Sequence, residues 1–281
     1  MNTFDKELRI ARRAVLQAGD LVRQSYATLR DSDIREKHTN DLVTRVDLEA
    51  QESLVGTIRK SFRTDYIVAE EHMSDEVNGG IDPGAARRWY MDPVDGTTNY
   101  IHTFPMFAVS VALECDGRLV LGITYDPLRD ELFHAVRDEG AYLNERPIHV
   151  SVMDDRRRTL LGTGFPFRAR KFLDDYLKTF RYFFSNVRGV RRAGSATLDL
   201  AYVAAGRLDA FWELTLSPWD MAAGVVLIEE AGGRVTDFFG GGTCLESGHI
   251  VASNGKFHDW MLEEIQKVFP PGGDYRLPED E

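Results

Sequence analysis

The chain has 281 residues, of which 43% are hydrophobic, and this is enough to bury a large core in one domain or in two tightly packed halves. Its 34 basic and 45 acidic side chains give a net charge of −11, so the bulk field opposes non-specific binding to nucleic acid, although a local basic patch could still act. The two cysteines lie far apart in no metal-binding spacing, the first residues lack the apolar core of a signal peptide, and no apolar run reaches 18 residues, so we expect a reduced cytoplasmic protein with no membrane contact.

Two amphipathic helices are predicted in the first quarter of the chain. Apolar residues recur every three or four positions from Phe4 to Val22, and again from Leu54 to Phe62. Thr44 is a candidate N-cap for the second helix, which would place Asp47 in its first turn, where the helix dipole favours an acid. Interactions at the helix N-terminus are therefore sufficient to account for an acid at position 47.

A short apolar run then ends in two acids. Ile67 to Ala69 reads as a buried strand, and Glu70 and Glu71 follow it directly. Buried carboxylates need a partner, so acids at a strand end indicate either a salt bridge or a cation.

The most informative segment follows. An apolar strand from Trp89 ends in Asp92 and Asp95, and Gly96-Thr97-Thr98 comes next, where a helix could begin. The free N–H groups of such a turn attract phosphate, and two neighbouring carboxylates repel each other unless a cation lies between them. Hard oxygen ligands beside a phosphate pocket suit Mg²⁺. The alternative is a surface turn, since Asp-Pro and Asp-Gly are common turn dipeptides.

The middle of the chain has the alternating pattern of strands. From Phe107 to Ile148, apolar runs are separated by Cys-Asp-Gly, Asp-Pro and Asp-Glu-Gly turns, and this pattern predicts an antiparallel meander. After Val150 helices and short strands alternate, as in an α/β half. Residues 271–281 are rich in Pro, Gly and acids, and we expect them to be disordered.

A second acidic segment, from Ser217 to Gly232, is predicted to form a helix, because residues typical of helix starts and helix ends stand at its two ends. Ser217 is a natural N-cap, Pro218 fits the first helical position, and Gly232 can take the left-handed stop. Asp220 lies three residues after the cap, where it can serve as a capping-box partner. A capping role and a metal-binding role do not exclude each other.

Two arginine clusters could form local basic patches in this acidic protein. They consist of Arg156, Arg157 and Arg158, and of Arg188, Arg191 and Arg192. Such clusters are typical of solvated faces, interface pairs or anion-steering charges, and RNA contacts are the alternative.

Together these motifs resemble the inositol monophosphatase family of Mg²⁺-dependent phosphatases. The matching segments are Asp41-Leu-Val-Thr-Arg-Val-Asp47, Glu70-Glu71, Asp92-Pro-Val-Asp95-Gly-Thr-Thr-Asn, Trp219-Asp220-Met-Ala-Ala-Gly and Glu229-Glu-Ala-Gly-Gly233. They occur in the family's order, and the resemblance covers roughly residues 5–265. The segment from Arg192 to Gly206 is more similar to the bacterial branch. Tyr100 and Thr103 depart from a common Phe and a common Gly.

The resemblance implies a fold and a metal site. The fold class would be α+β or α/β, a layered αβαβα sandwich formed by a single domain over residues 1–270, with approximate halves 1–150 and 151–270. Glu70, Asp92 and the backbone carbonyl of Val94 would hold one Mg²⁺, and Asp92, Asp95 and Asp220 a second. A third, weaker ion is expected near Glu70.

The resemblance also implies the remaining site residues. Glu70, Thr97 and Asp47 would be catalytic, with the first two orienting an attacking water and accepting its proton. Substrate would be bound by Gly96, Thr97, Thr98, Gly194, Ser195, Ala196, Glu213 and Asp220. Glu213 matches the position that binds a ring hydroxyl, and a rim salt bridge is its alternative. His102 could act as an acid, or it is simply packed or solvated.

The function expected from these residues is hydrolysis of inositol monophosphate by a metal-activated water, without a phosphoenzyme. Lithium sensitivity and a homodimer are implied as well. Sister specificities for histidinol phosphate, fructose 1,6-bisphosphate or a 3′-phosphoadenosine nucleotide stay open, as does a regulatory role with RNA polymerase or an antitermination factor, which is known for bacterial relatives. A haloacid dehalogenase-type phosphatase is set aside, because it needs Asp-x-Asp and here the acids are spaced Asp-x-x-Asp.

Overall fold

The computed structural model describes residues 4–38, 41–71, 77–167 and 169–275. The predicted disorder of the tail therefore falls largely outside the described residues, which stop at Tyr275. Within the described ranges, none of the helices combines the length and the apolar character that crossing a bilayer requires.

A seven-stranded sheet forms the first β layer, and its spatial order follows the chain. The strands are β3 (Tyr66–Ala69), β4 (Arg87–Asp95), β5 (Ala108–Cys115), β6 (Arg118–Asp126), β7 (Glu131–Val136), β8 (Gly140–Leu143) and β9 (Arg146–Ile148). All neighbours are antiparallel except β3 and β4, which are parallel. The predicted meander is thereby confirmed. A separate antiparallel pair joins β1 (Ile34–His38) and β2 (Asp41–Thr44).

Two long helices cover one face of this sheet. They are α1 (Asp5–Ser25) and α2 (Arg45–Arg59), and their apolar stripes pack on buried side chains such as Trp89 and Met91 of β4. Both helices match the predicted periodicity. The short helix α3 (Thr97–Ile101) follows β4 directly.

The opposite face carries the middle helical layer, α5 (Ala196–Ala204) and α6 (Pro218–Glu230). These helices share one core with side chains of both sheets, including Phe133 of β7 and Ile250 of the second sheet. The contact is close because glycine stands at Gly122: a Cβ there would lie 2.5 Å from the backbone oxygen of Ala223.

The second β layer has five strands in the order β11-β10-β12-β14-β13. They are β10 (Leu160–Thr163), β11 (Gly189–Arg191), β12 (Ala210–Leu214), β13 (Arg234–Thr236) and β14 (His249–Ser253). Its outer face is covered by α4 (Leu173–Asn186) and α8 (His258–Gln266), with α7 (Cys244–Ser247) before β14. The layers are α-β-α-β-α, so the predicted sandwich is confirmed.

Candidate functional site

Asp92 and Asp95 lie at the end of β4, on the side of the sheet that faces α6. Residues three apart in a regular strand point to opposite faces, since side chains alternate. Here Asp92 pairs with Ser110 and Asp95 with Ala108, so β4 has one extra residue relative to β5. This β-bulge brings both carboxylates to the same face.

Asp220 reaches the same point from the first turn of α6. Carboxylate oxygens of Asp92, Asp95 and Asp220 all lie within 4.8 Å of one another. Asp220 also accepts a hydrogen bond from the N–H of Ser217 at 2.8 Å. Asp220 thus caps the start of α6 and also lies beside Asp92 and Asp95 in the acidic cluster.

The electrostatics of this cluster favour a cation. Burial first, and then repulsion from Glu70, Asp95 and Asp220, holds the pKa of Asp92 well above its usual range. Burial also raises the pKa of Asp95, although hydrogen bonds from Ser195 and Thr197 oppose the rise. A positive ion would remove this repulsion, because an opposite charge stabilises the ionised form.

Asp47 and Thr97 form a hydrogen-bonded pair behind the cluster. Thr44 caps α2 by accepting from the N–H groups of Val46 and Asp47, and the Asp47 carboxylate accepts from the N–H of Thr44 at 3.0 Å. The Thr97 hydroxyl lies 3.0 Å from Asp47 Oδ1 and also 3.0 Å from the carbonyl oxygen of Val94. Burial raises the pKa of Asp47 to about 6. Asp47 therefore has both the predicted capping contact and a contact with the site.

The turn after β4 requires a glycine. Gly96 has a φ of 92°, and a Cβ there would lie 2.8 Å from the carbonyl oxygen of Met106 and 3.1 Å from that of Gly194. Asn99 reinforces this approach, since its amide nitrogen lies within 3.1 Å of the carbonyls of Met106, Ala193 and Gly194. The two halves of the chain are thereby joined at the turn predicted to bind phosphate.

The start of α5 is attached to Asp95. Thr197 donates through its N–H at 2.8 Å and through its hydroxyl at 2.6 Å, and the Ser195 hydroxyl donates to the same carboxylate oxygen. Ser195, predicted to bind substrate, thus also orients one of the clustered acids.

Glu213 is the next-to-last residue of β12 and is buried rather than placed at a rim. Its carboxylate occupies the space that a Cβ on Gly164 would fill, 1.8 Å from that position. Burial holds the pKa of Glu213 well above its usual range, and the charge of Arg192 partly opposes this shift. In the described ranges Glu213 makes no ion pair within 4 Å, so the rim salt bridge does not describe it.

These residues surround one cavity with a volume of about 320 Å³. All the residues predicted to hold metal or substrate line it, and of the predicted site residues only Asp47 lies behind its wall. His102 is exposed and is not part of the lining. The sequence interpretation assigned no site role to Asn99 or Asp199, which line the cavity, and it considered Arg192, which also lines it, only as part of a basic cluster.

The chain is similar to known proteins over nearly its whole length. The model of the inositol monophosphatase family matches residues 4–269. The chain is 48% identical to the protein named Nus factor SuhB from Pseudomonas aeruginosa, with 94% of this chain and 97% of that one covered. Among solved structures, extragenic suppressor protein suhB from Bartonella henselae has a TM-score of 0.88 at 35% identity, covering 94% of this chain and 99% of that one. Inositol monophosphatase from Anabaena has a TM-score of 0.83 at 37% identity, covering 96% and 99%. The chain therefore belongs to the inositol monophosphatase family of metal-dependent phosphatases.

Proposed function

We propose that the protein is a Mg²⁺-dependent phosphomonoesterase that hydrolyses inositol monophosphate to inositol and phosphate. The observation that carries this proposal is the convergence of the Asp92, Asp95 and Asp220 carboxylates within 4.8 Å. A cluster of hard oxygen donors fits Mg²⁺, and the residues that carry the other predicted donors, Glu70 and Val94, line the same cavity. We propose two to three ions, divided among these residues as the resemblance implies.

The chain itself supplies positioning and a route for a proton. The N–H groups of Gly96 and Thr97 would bind phosphate oxygens at the start of α3. When bound, Mg²⁺ would supply the positive charge that lowers the pKa of the attacking water and balances charge on the leaving oxygen. Because Thr97 donates to Asp47, its oxygen can accept a proton from the water while its own proton moves to Asp47. Water attacks phosphorus directly, so no phosphoenzyme is needed.

The cavity wall around Glu213 supports a polyol as the substrate. A buried carboxylate accepts hydrogen bonds from hydroxyl groups, whereas it would repel a second phosphate placed against it. This argues against fructose 1,6-bisphosphate or a 3′-phosphoadenosine nucleotide with its other phosphate on this wall. The name of the Anabaena relative supports the same substrate class.

A phosphate-release assay tests the proposal. Inositol monophosphate and the sister substrates are each incubated with Mg²⁺ and with EDTA. We expect hydrolysis that requires Mg²⁺, prefers inositol monophosphate and is lost in Asp92→Asn and Asp220→Asn, with the fold retained by circular dichroism. Asp237→Asn is the matched control, because Asp237 is buried but bonded to its own loop at Phe239, Gly241 and Thr243. Undiminished turnover in EDTA would contradict the proposal.

A basic face favours a second, non-enzymatic function. The N–H of Arg188 donates to the carbonyl of Thr159 at 3.0 Å, so the two arginine clusters, distant in sequence, lie side by side. Arg157, Arg158 and Arg188 are exposed on this face. With relatives named Nus factor SuhB, this supports binding to an RNA polymerase antitermination complex.

Charge reversal separates the two functions. In the triple variant Arg157→Glu, Arg158→Glu, Arg188→Glu we expect phosphatase activity to stay and binding to the purified complex, measured by gel shift, to be lost. Retained binding would remove this face from the proposal. The homodimer and the cytoplasmic location stay predictions.

A further inference from the structure

Two buried carboxylates in the cavity wall receive no hydrogen bond from the part of the chain that the structure describes. They are Asp199 of α5, which is 2% exposed, and Glu213, which is 8% exposed. Asp95, by contrast, receives three hydrogen bonds from Ser195 and Thr197. A buried acid without donors is costly, and nearly all such groups in folded proteins are satisfied. Within the described residues, the donors for Asp199 and Glu213 are therefore left to water or a ligand in the cavity.

The carboxylates of Asp199 and Glu213 are packed against β10 on one side and face the cavity on the other. Gly164, just after β10, makes room for Glu213, and Gly162 within β10 would place a Cβ 3.5 Å from the Asp199 carboxyl carbon. Both carboxylates line the cavity, and the charge of Asp199 contributes to the raised pKa of Glu213, so the two are electrostatic neighbours.

The positive charge of Arg192 lies near enough to change the pKa of both acids, but within the described part of the chain Arg192 forms no ion pair with either of them. The charge of Arg192 lowers the pKa of Asp199 and of Glu213 relative to burial alone. Arg192 is exposed and forms no ion pair within 4 Å with either acid in the described residues. It offsets part of the negative charge and leaves their acceptor positions open. A neutral group with several hydroxyl donors fits this wall better than a second anion.

We propose that Asp199 is a specificity-determining residue that binds a hydroxyl of the polyol, next to the hydroxyl bound by Glu213. This inference rests on the proposed phosphatase function and extends it. The preferred substrate is a phosphorylated polyol with two neighbouring hydroxyls on the side that faces the second sheet. A substrate that lacks either hydroxyl leaves a buried carboxylate without a donor.

The test compares substrates within one variant. Values of kcat/KM are measured for inositol monophosphate, for deoxy analogues that each lack one hydroxyl, and for 4-nitrophenyl phosphate. The variants are Asp199→Asn and Glu213→Gln. In Asp199→Asn, we expect the preference for inositol monophosphate over one deoxy analogue to fall about tenfold or more, the range for a bond to a charged group. Glu213→Gln should reduce the preference for a different hydroxyl.

Asp209→Asn is the matched control. Asp209 is also buried, but it accepts hydrogen bonds from Ser151 and from the N–H of Leu160 on β10, away from the cavity. It should lose thermal stability with unchanged substrate ratios, whereas Asp199→Asn should keep or raise its melting temperature because it removes a buried charge. A purely structural role for Asp199 would lower the melting temperature and leave the ratios as in the wild type, and that result would overturn the proposal.

A binding measurement distinguishes this inference from the proposed reaction. Calorimetric titration of inositol monophosphate in Ca²⁺ needs no turnover. If the wild type hydrolyses none of the phosphomonoesters but Asp199→Asn weakens this binding about tenfold, the inference stands and the proposed function fails. If the wild type is active and Asp199→Asn changes neither binding nor any substrate ratio, the inference fails alone. Stronger wild-type binding of an ammonium-bearing amino-alcohol phosphate would also overturn it.

Discussion

Asp47→Asn is predicted to stabilise the protein and to remove its activity. Asp47 is fully buried and accepts hydrogen bonds from Thr44 and Thr97. Asparagine can keep its oxygen on Thr44 and turn its amide group towards Thr97. The Thr97 hydroxyl can then donate to the Val94 carbonyl, 3.0 Å away. The helix cap is retained, but the Thr97 oxygen now accepts from an amide and can no longer orient a water.

The size of the stability gain follows from the pKa. Burial raises the pKa of Asp47 from 3.8 to about 6, and a shift of about two units corresponds to about 3 kcal/mol at 1.36 kcal/mol per unit. Because the folded-state pKa is the higher one, the folded protein binds more protons than the unfolded chain between about pH 4 and pH 6. Wild-type stability therefore falls as pH rises through this window. Asparagine carries no charge, so the variant should gain up to about 3 kcal/mol above pH 6 and nothing below about pH 4.

Urea unfolding at several pH values between 4 and 8 measures this difference. EDTA is present, since a bound cation would reduce the cost of the ionised acid. Asp33→Asn provides the comparison, because Asp33 caps the N–H of Arg30 in the same way but is only partly buried. In Mg²⁺, loss of the proton acceptor should lower kcat/KM about 100-fold to 10,000-fold. A variant that is destabilised equally at every pH and keeps its activity would show that Asp47 only caps α2.

Three further outcomes are expected. Millimolar Li⁺ should slow turnover in saturating Mg²⁺, as the family resemblance implies. Ca²⁺ should replace Mg²⁺ unproductively, because its bonds are longer and its geometry looser. Full activity with either ion would mean that the ion sites differ from those of the family. Glu213→Gln should lower the ratio of kcat/KM for inositol monophosphate to that for an aryl phosphate by a factor consistent with about 1.5–3 kcal/mol. An unchanged ratio would remove Glu213 from substrate recognition. Finally, kcat/KM should rise with pH as Asp47 ionises, and the rise should lie below about pH 6 in Mg²⁺ because a bound cation favours the ionised carboxylate. A profile that is flat from about pH 4 to pH 6 would contradict a role for this carboxylate.

Local signals allowed the ends of α6 to be predicted. The helix begins at Pro218 after Ser217, and Gly232 has a φ of 86° just after its end. Helix capping and helix termination depend on residues close together in the chain, so both can be predicted from the local sequence. The meander was predictable for the same reason, since alternation and turn residues are local.

The geometry of the site depends on pairings between distant segments. The bulge that aligns Asp92 with Asp95 exists only in the register with β5, and the sequence of β4 does not show it. Asp199 lies inside an apolar helix, and its electrostatic interaction with Glu213 of β12 depends on how that helix packs against the second sheet. The motif resemblance was enough to predict which residues form the site. Their burial, and the lack of hydrogen-bond donors to Asp199 and Glu213 among the described residues, could be seen only in the folded structure.

Gly122→Ala should damage the metal site without touching a ligand. A Cβ at this position of β6 would lie 2.5 Å from the carbonyl oxygen and 2.9 Å from the Cα of Ala223 on α6. Both contacts are with backbone, which cannot rotate away as a side chain can, so the helix must shift relative to the sheet. Asp220 moves with α6 while Asp92 stays with the sheet, and the distance between their carboxylates changes.

The resulting defect should depend on the ion. Mg²⁺ demands near-ideal geometry at about 2.0–2.1 Å, whereas Ca²⁺ tolerates irregular sites. In Gly122→Ala we therefore expect the Mg²⁺ concentration for half-maximal activity to rise, while Ca²⁺ binding changes less, with a stability loss of about 1–3 kcal/mol from overpacking. Gly56→Ala on α2 is the control, because nothing lies within 4 Å of the Cβ that it adds. A folded Gly122→Ala protein with unchanged Mg²⁺ dependence would show that the contact between α6 and the sheet does not set the separation of Asp92 and Asp220.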